Sequence, residues 1–212
     1  MTAIIVDHGR ANLFSLRHAL RHLGIAHEAS ADPGSIAGAA RLFLPGVGAF
    51  GEVMKALRER GLVAPLRDAI SRRIPLLGIC VGMQILAEYG EEFGRHEGLG
   101  VFGGAVHRLP DPPSGSRGTR VPNVGWRSLR ASKPTSLFAD MAPGTMAYFV
   151  HSYALIAAEE SDVEATIDFN GRPLTAAIRR GSVMGYQFHP EKSGPAGLSL
   201  IQRFMALAPG AN

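Results

Sequence analysis

The first half of the chain alternates short apolar runs with amphipathic stretches. The apolar runs predict buried strands at residues 3–6, 41–44 and 74–79. Leucines at helical spacing predict a helix over residues 13–23, and a second helix is predicted from about residue 52 to residue 61. Strands that alternate with helices indicate an α/β fold, with a mostly parallel central sheet covered by helices on both faces.

The second half of the chain has a different pattern. Strands are predicted at residues 148–153, 163–169 and 174–178, and Asn170-Gly171 marks a tight antiparallel hairpin between the last two. Residues 111–115 are rich in proline and glycine and predict a flexible loop, and a terminal helix is predicted from about residue 195. No internal repeat or low-complexity tract divides the chain, so residues 1–212 are expected to form a single domain.

The composition is that of an ordinary globular protein. Apolar residues make up 46% of the 212 residues, and no apolar stretch approaches the roughly 20 residues of a membrane-spanning helix. The amino-terminal segment lacks the basic and apolar regions of a secretory signal. The single cysteine cannot form an internal disulfide, which fits a reducing compartment. A cytoplasmic protein without membrane contact is expected.

The net charge of +4 raises the question of an anionic partner. The basic residues do not form a run with interleaved aromatic side chains, so nucleic acid binding is not expected. One local excess of basic residues, opposed only by Asp111, has two interpretations: a solvated surface, or a docking surface for an acidic partner or an anionic substrate. This excess comprises Arg108, Arg117, Arg120, Arg127, Arg130 and Lys133.

The segment Gly78-Ile79-Cys80-Val81-Gly82 is the first candidate for chemistry. A small residue stands two positions before and two after Cys80, at a predicted junction of strand and helix. This is the cysteine form of a nucleophile elbow, whose sharp turn exposes the nucleophile above the sheet. The helix that follows is expected to place its positive amino-terminal dipole under the sulfur. The alternative is a buried structural cysteine between glycines.

The segment Gln187-Phe188-His189-Pro190-Glu191 favours the catalytic interpretation. A thiol nucleophile needs a base, and the base needs an acceptor that orients it. His189 and Glu191 stand two residues apart after a predicted strand, so both can reach the same sheet edge as Cys80. The candidate catalytic residues are therefore Cys80, His189 and Glu191.

These two segments together resemble the class I glutamine amidotransferases, which use a Cys-His-Glu triad. Other segments are similar to those of the glutaminase subunits of imidazole glycerol phosphate synthases, and the similarity extends from residue 4 to residue 204. These segments are Asp7–Leu13, Leu44–Gly48, Val121–Trp126, Tyr148–Tyr153 and His189–Gly194. The resemblance implies a flavodoxin-like fold. It also implies hydrolysis of glutamine to glutamate and ammonia through a γ-glutamyl thioester.

The resemblance also assigns roles around the triad. The oxyanion of the tetrahedral intermediate is expected to meet the backbone N–H of Val81 and one from the loop with Val47 and Gly48. Glycines in that loop allow a peptide flip, so the oxyanion hole could form only when the partner is loaded. A plain turn at the end of a strand is the alternative for this loop. The resemblance implies glutamine-binding roles for Gly48, Gln84, Glu92, His151, Ser152 and Tyr153.

The sequence departs from the family pattern at two positions. Asn123 stands where the family usually has histidine, and Arg127 stands where it usually has asparagine. The segment that contains them is expected near the partner, so the departures bear on partner contacts and leave the triad intact.

The implied partner is a (β/α)8-barrel cyclase in a heterodimer, which would receive the ammonia. A chain of 212 residues is too short to contain that barrel as well, since such a barrel usually needs about 250 residues. The candidate interface residues are Asn12, Trp126 and Lys192, although Trp126 could instead pack in the core. No metal or cofactor is expected, because Cys80, His189 and Glu191 lack a fourth ligand at workable spacing.

Two other functions stay open from the sequence. The chain could be the glutaminase of another ammonia-using synthase, such as pyridoxal phosphate synthase, or a non-catalytic regulatory module on the same scaffold. The pathway served is either histidine synthesis or a specialised one that uses the same chemistry.

Overall fold

A computed structural model describes residues 2–112, 118–134 and 136–208 of the chain. Its helices are α1 Leu13–His22, α2 Pro33–Ala37, α3 Phe50–Glu59, α4 Val63–Ser71, α5 Val81–Gln84 and α6 Gly194–Ala206. Its strands are β1 Ala3–Val6, β2 His27–Ser30, β3 Leu42–Gly46, β4 Leu76–Cys80, β5 Ala87–Gly90, β6 His96–Glu97, β7 Phe102–Arg108, β8 Asn123–Ser128, β9 Arg130–Ala131, β10 Met146–His151, β11 Tyr153–Ala157, β12 Val163–Phe169, β13 Arg172–Arg180 and β14 Val183–Tyr186. Short 3-10 turns cover Glu160–Asp162 and Pro190–Lys192.

The central sheet has eight strands in the order β2-β1-β3-β4-β14-β13-β12-β9. The first five are parallel and the last three are joined by antiparallel pairing. The connections β1-α1-β2 and β2-α2-β3 run in opposite directions along the sheet, so the right-handed crossover rule places α1 and α2 on opposite faces. The α/β fold with a mostly parallel sheet, and the antiparallel strands of the second half, are confirmed.

Two smaller sheets stand beside the central one. Strands β8 and β10 form an antiparallel pair, and β11, β7, β5 and β6 form a four-stranded sheet. The strand expected at residues 148–153 is therefore wrong as a single element, because the chain leaves one sheet and enters another at Ser152. The Asn170-Gly171 hairpin is confirmed: Phe169 pairs with Arg172, and both turn residues have positive φ.

The helical predictions need two corrections. The sequence pattern did not predict α4, and the helix after Cys80 is a single turn of four residues. The loop predicted at residues 111–115 falls mainly on residues outside the described ranges. One continuous apolar core joins the central sheet to the helices and to the smaller sheets, and Phe149 and Phe188 are completely buried in it. This core holds the carboxyl ends of β3, β4 and β14 side by side.

Candidate active site

Cys80 lies in a strained turn at the carboxyl end of β4. Its φ of 56° is in the region that residues other than glycine rarely adopt. The flanking glycines are required, because a Cβ at Gly82 would lie 1.7 Å from the Leu44 carbonyl oxygen, and one at Gly78 would lie 2.5 Å from the Gly82 oxygen. The geometry is that of a nucleophile elbow. The helix dipole expected under the sulfur is weaker than the sequence suggested, since α5 has only one turn.

His189 follows the strand that pairs directly with the one ending in Cys80. Strand β14 is parallel to β4, with Tyr186 opposite Ile79, so both chains leave the sheet at the same edge. The backbone N–H of His189 donates to the Tyr148 carbonyl at 3.0 Å, which fixes the segment after the strand. The sheet register therefore brings the imidazole to the thiol, although the residues are far apart in sequence.

The buried pair of His189 and Glu191 is well formed. The Nδ1–H of His189 donates to Glu191 Oε1 at 2.8 Å, and only 5% and 3% of the two side chains are exposed. Burial lowers the pKa of His189, but side-chain hydrogen bonds with Cys80 and with Glu191 outweigh burial and raise that pKa to about 10. The imidazolium form is therefore favoured at neutral pH beside the sulfur, with Glu191 holding the ring.

A cavity of about 530 Å³ opens over Cys80 and His189. It brings together every residue to which the sequence assigned an oxyanion or glutamine-binding role: Val47, Gly48, Val81, Gln84, Glu92, His151, Ser152 and Tyr153. Glu191 does not line it and lies behind His189. The cavity also has an apolar rim that the sequence did not indicate, formed by Phe93, Pro122 and Val150. Among these three residues Phe93 is 86% exposed. The only sequence feature that could have indicated this rim is the position of Phe93, a large aromatic residue between two glutamates and a glycine.

The loop after β3 is held by the turn after β1. The N–H of Val47 donates to the Arg10 carbonyl at 2.9 Å, so this donor is not directed into the cavity. The Pro45 carbonyl accepts from His8 Nε2 at 2.6 Å, and the backbone N–H of Arg10 donates to His8 Nδ1 at 3.3 Å. Gly48 has a φ of 93°. The loop must therefore rotate before the Val47 N–H can donate to an oxyanion. The glycines of the loop had suggested such a peptide flip.

Glu92 and Gln84 are predicted glutamine-binding residues whose side chains already have hydrogen-bond partners. Glu92 Oε2 accepts from the backbone N–H of Phe50 at 2.9 Å, at the start of α3. Gln84 Nε2 donates to the Tyr153 carbonyl at 2.8 Å and to Gln187 Oε1 at 3.1 Å. These contacts use the nitrogen of Gln84 and one oxygen of Glu92, which leaves the amide oxygen of Gln84 and Oε1 of Glu92 as acceptors. Gln187 Nε2 lies 3.9 Å from the sulfur of Cys80, a contact that the sequence did not predict.

The family model for class I glutamine amidotransferases matches residues 4–207. The chain belongs to this family. The resemblance drawn from the two motifs is confirmed, and the fold agrees with that of solved relatives. A crystal structure of a glutamine amidotransferase, 21% identical, superposes with a TM-score of 0.73 over 96% of this chain and 97% of that one. The structure of PurLQS from Thermotoga maritima gives 0.71 at 20% identity, with the same coverage. Identities this low show the fold alone.

Sequence relatives of this class I glutamine amidotransferase are much more similar. Imidazole glycerol phosphate synthase subunit HisH of Moorella thermoacetica is 43% identical, over 94% of this chain and 92% of the relative. The subunit of the same name from Rhodopirellula baltica is 45% identical over 97% of both chains. The near-complete coverage in both directions means that the similarity is not confined to the residues around the cavity.

The candidate interface residues of the amidotransferase lie at the surface near the same edge. Trp126 is 50% exposed on β8 and packs edge to face on Tyr148 of β10, with ring centroids 6.0 Å apart, so it is not a core residue. Asn12 caps α1 by accepting from the Ser15 N–H at 3.4 Å. Lys192 is exposed in the 3-10 turn that follows His189.

The basic excess of the amidotransferase is largely paired where the structure describes it. Arg108 pairs with Asp111 and Lys133 with Glu164, while Arg127 donates to Asn123. Arg117 lies outside the described residues. These pairings favour a solvated surface over an anion-docking surface.

Among residues 2–112, 118–134 and 136–208, no group of three or more His, Cys, Asp or Glu side chains is arranged to hold a metal ion. The same described ranges contain no helix that is long and apolar enough to cross a membrane.

Proposed function

We propose that this chain is the glutamine-hydrolysing subunit of an imidazole glycerol phosphate synthase and supplies ammonia to a cyclase subunit. One observation carries the proposal. At the tip of β4, the thiol of Cys80 and the imidazole of His189 line one open cavity, and behind it His189 Nδ1–H donates to the buried carboxylate of Glu191. The relatives named HisH, at 43% and 45% identity, indicate which synthase it serves.

The proposed reaction consumes glutamine and water and yields glutamate and ammonia. The thiolate of Cys80 attacks the side-chain carbonyl carbon of glutamine and forms a tetrahedral oxyanion. His189 gives its proton to the leaving nitrogen, the carbon–nitrogen bond breaks, and ammonia departs from a γ-glutamyl thioester. A water molecule, deprotonated by His189, then attacks the thioester and releases glutamate. Glu191 holds the imidazole in the orientation that both proton transfers require.

Backbone donors stabilise the oxyanion in this proposal. The N–H of Val81 lies next to the attacking sulfur, and a second donor comes from Val47 or Gly48 after Val47 leaves the Arg10 carbonyl. One such donor is worth about 3 kcal/mol of barrier. The free subunit is therefore expected to be slow, and a partner that rotates this loop would activate it. Gln84 and Glu92 offer their remaining oxygens to the α-ammonium of glutamine, while His151, Ser152 and Tyr153 form the wall beside its carboxylate.

The partner is proposed to be a (β/α)8-barrel that binds as a heterodimer. Free ammonia at neutral pH is mostly protonated and cannot attack an electrophile, so a protected path between subunits has a chemical reason. The docking surface includes Trp126 and its exposed apolar neighbours on β8 and β10, together with Asn12 and Lys192. We further infer a single domain over residues 1–212 and a cytoplasmic location without membrane contact.

The deciding experiment measures glutamate release by the full chain alone, with the cyclase, and with the cyclase and its nucleotide ligand. Stimulation by the loaded cyclase, and loss of all release in Cys80→Ala, are the expected results. Basal release that no cyclase changes would favour another ammonia-using synthase. If Cys80→Ala released as much glutamate as the wild type, the remaining interpretation would be a non-catalytic regulatory module.

A further inference from the structure

A chain of hydrogen bonds runs from strand β8 to the wall of the cavity. Arg127 Nε donates to Asn123 Oδ1 at 2.8 Å, and Asn123 Nδ2 lies 2.9 Å from His151 Nε2. His151 Nδ1 lies 2.8 Å from the Tyr153 carbonyl oxygen. Arg127, Asn123 and His151 thus form one continuous path of contacts from β8 to the cavity wall.

Only one arrangement of protons satisfies these contacts. Arginine has donors only, so the oxygen of the Asn123 amide must face Arg127 and its NH2 group must face His151. The Tyr153 carbonyl has acceptors only, so His151 must carry its proton on Nδ1. The Nε2 atom of His151 then accepts from Asn123. The imidazole is neutral and in a single tautomer.

The surroundings of His151 agree with a neutral ring. Its side chain is buried, and burial, followed by the charges of His189 and Arg127, lowers its pKa to about 4 although the Tyr153 carbonyl opposes the shift. A second cation beside His189 would repel the imidazolium of His189. A neutral His151 therefore avoids this repulsion inside the active site.

The Nδ1-protonated form of His151 also holds the backbone at Tyr153, to which Gln84 is bonded. The Tyr153 carbonyl that accepts from His151 also accepts from Gln84, which in turn donates to Gln187. If the proton of His151 moved to Nε2, the lone pair of Nδ1 would face the carbonyl oxygen across 2.8 Å, and the two acceptors would repel. The backbone at Tyr153, which lines the cavity, would have to move.

From this geometry we infer that Arg127 and Asn123 are positioning residues, which fix the tautomer of His151 and thereby the backbone wall that binds glutamine. The inference rests on the proposed function for its effect on glutamine, but the tautomer is a property of the chain itself. The positioning residues do not line the cavity and act through His151.

The first test is nitrogen-15 NMR of the full chain labelled at histidine, with His151 assigned from the spectrum of His151→Gln. At pH 7 the expected signals are a protonated Nδ1 and an unprotonated Nε2. In Asn123→Asp the carboxylate can accept from both Arg127 and His151, so both nitrogens of His151 are expected to be protonated. A wild-type ring with protonated Nε2, or an unchanged ring in Asn123→Asp, would overturn the inference.

The second test compares glutaminase kinetics of arginine variants bound to the cyclase. Arg127→Leu frees the Asn123 amide to rotate and is expected to raise KM for glutamine roughly tenfold, with a much smaller change in kcat. Arg127→Lys keeps a charged donor and is expected to restore KM to within about twofold of wild type. Arg130→Leu is the matched control, because it removes an exposed cation of β9, the next strand along the chain. Equal effects of Arg127→Leu and Arg130→Leu would reduce the role of Arg127 to general charge and refute the inference.

The two tests separate the inference from the function on which it draws. If no glutamate is released with any cyclase, the proposed function fails, while the NMR spectra still decide the tautomer. If glutamate is released but KM is unchanged in Arg127→Leu, the function stands and the positioning role is excluded.

Discussion

The neutral, buried state of His151 has a measurable cost at low pH. The unfolded chain binds a proton on this histidine near pH 6.5, whereas burial lowers the pKa in the folded chain to about 4. Since the unfolded state then holds more protons between these values, the folded state is destabilised as the pH falls from 6.5 towards 4. At neutral pH the cost is absent.

The two pKa values set the magnitude of this effect. They differ by about 2.5, and each pH unit corresponds to about 1.4 kcal/mol, so the full penalty is about 3 kcal/mol below pH 4. About 2 kcal/mol of it accumulates between pH 7 and pH 5. His8, whose pKa burial also lowers, acts in the same direction, but its contribution is common to the wild type and a His151 variant and cancels in their difference.

The assay is urea denaturation of wild type and His151→Gln at pH 7 and pH 5. The wild type is expected to lose about 2 kcal/mol more unfolding free energy over this range than the variant. His18→Gln, which removes an exposed histidine of α1, serves as the control and is expected to follow the wild type. Parallel pH dependence in wild type and His151→Gln would refute the reasoning, because it would mean that His151 titrates alike in the folded and unfolded chain.

Four further predictions concern the reaction centre, the elbow and the docking surface. Cys80→Ala should reduce glutamate release to background in a coupled assay and leave the urea midpoint within error of wild type. Glu191→Gln removes the negative charge that helps to raise the pKa of His189, so that pKa should fall in an NMR titration and kcat should drop by roughly a thousandfold or more. Gly82→Ala should lower the unfolding free energy by about 3 kcal/mol, since its Cβ would overlap a backbone oxygen, whereas Gly38→Ala, whose nearest atom is 3.4 Å away, should be nearly neutral. Trp126→Ala should weaken cyclase binding by about 2 kcal/mol in calorimetry without changing glutamate release by the free subunit.

The reaction centre was the most predictable part of the structure. Cys80 and His189 each follow a short apolar run, and parallel strands end at one edge of a sheet, so local patterns sufficed to bring them together. The glycines around Cys80 were equally informative, because their role depends only on backbone packing at the turn. The length of the helix after Cys80 was less predictable, since Ile85 and Ala87 continue an apolar pattern that fits a helix as well as a strand.

Features that depend on non-local pairing could not be predicted. Asn123 meets His151 only because β8 and β10 pair in that register, and the sequence between them contains no signal for it. The apolar pattern from Tyr148 to Tyr153 is continuous, but the chain changes sheets at Ser152 without a glycine or proline to mark the change. Helix α4 contains Pro65, which is tolerated because the first turn of a helix does not use that N–H.

Because β4 pairs directly with β14, the reaction centre at the ends of these strands can be kept while the chain between them changes. Cys80 and Gln187, next to the imidazole, are 107 positions apart along the chain, yet the ladder between the two strands sets their spacing. Insertions, deletions or substitutions in the intervening segment can remodel the docking surface or the affinity for glutamine while the thiol and its base keep their relative positions. The synthase that receives the ammonia can therefore change during evolution while the residues that hydrolyse glutamine stay in place.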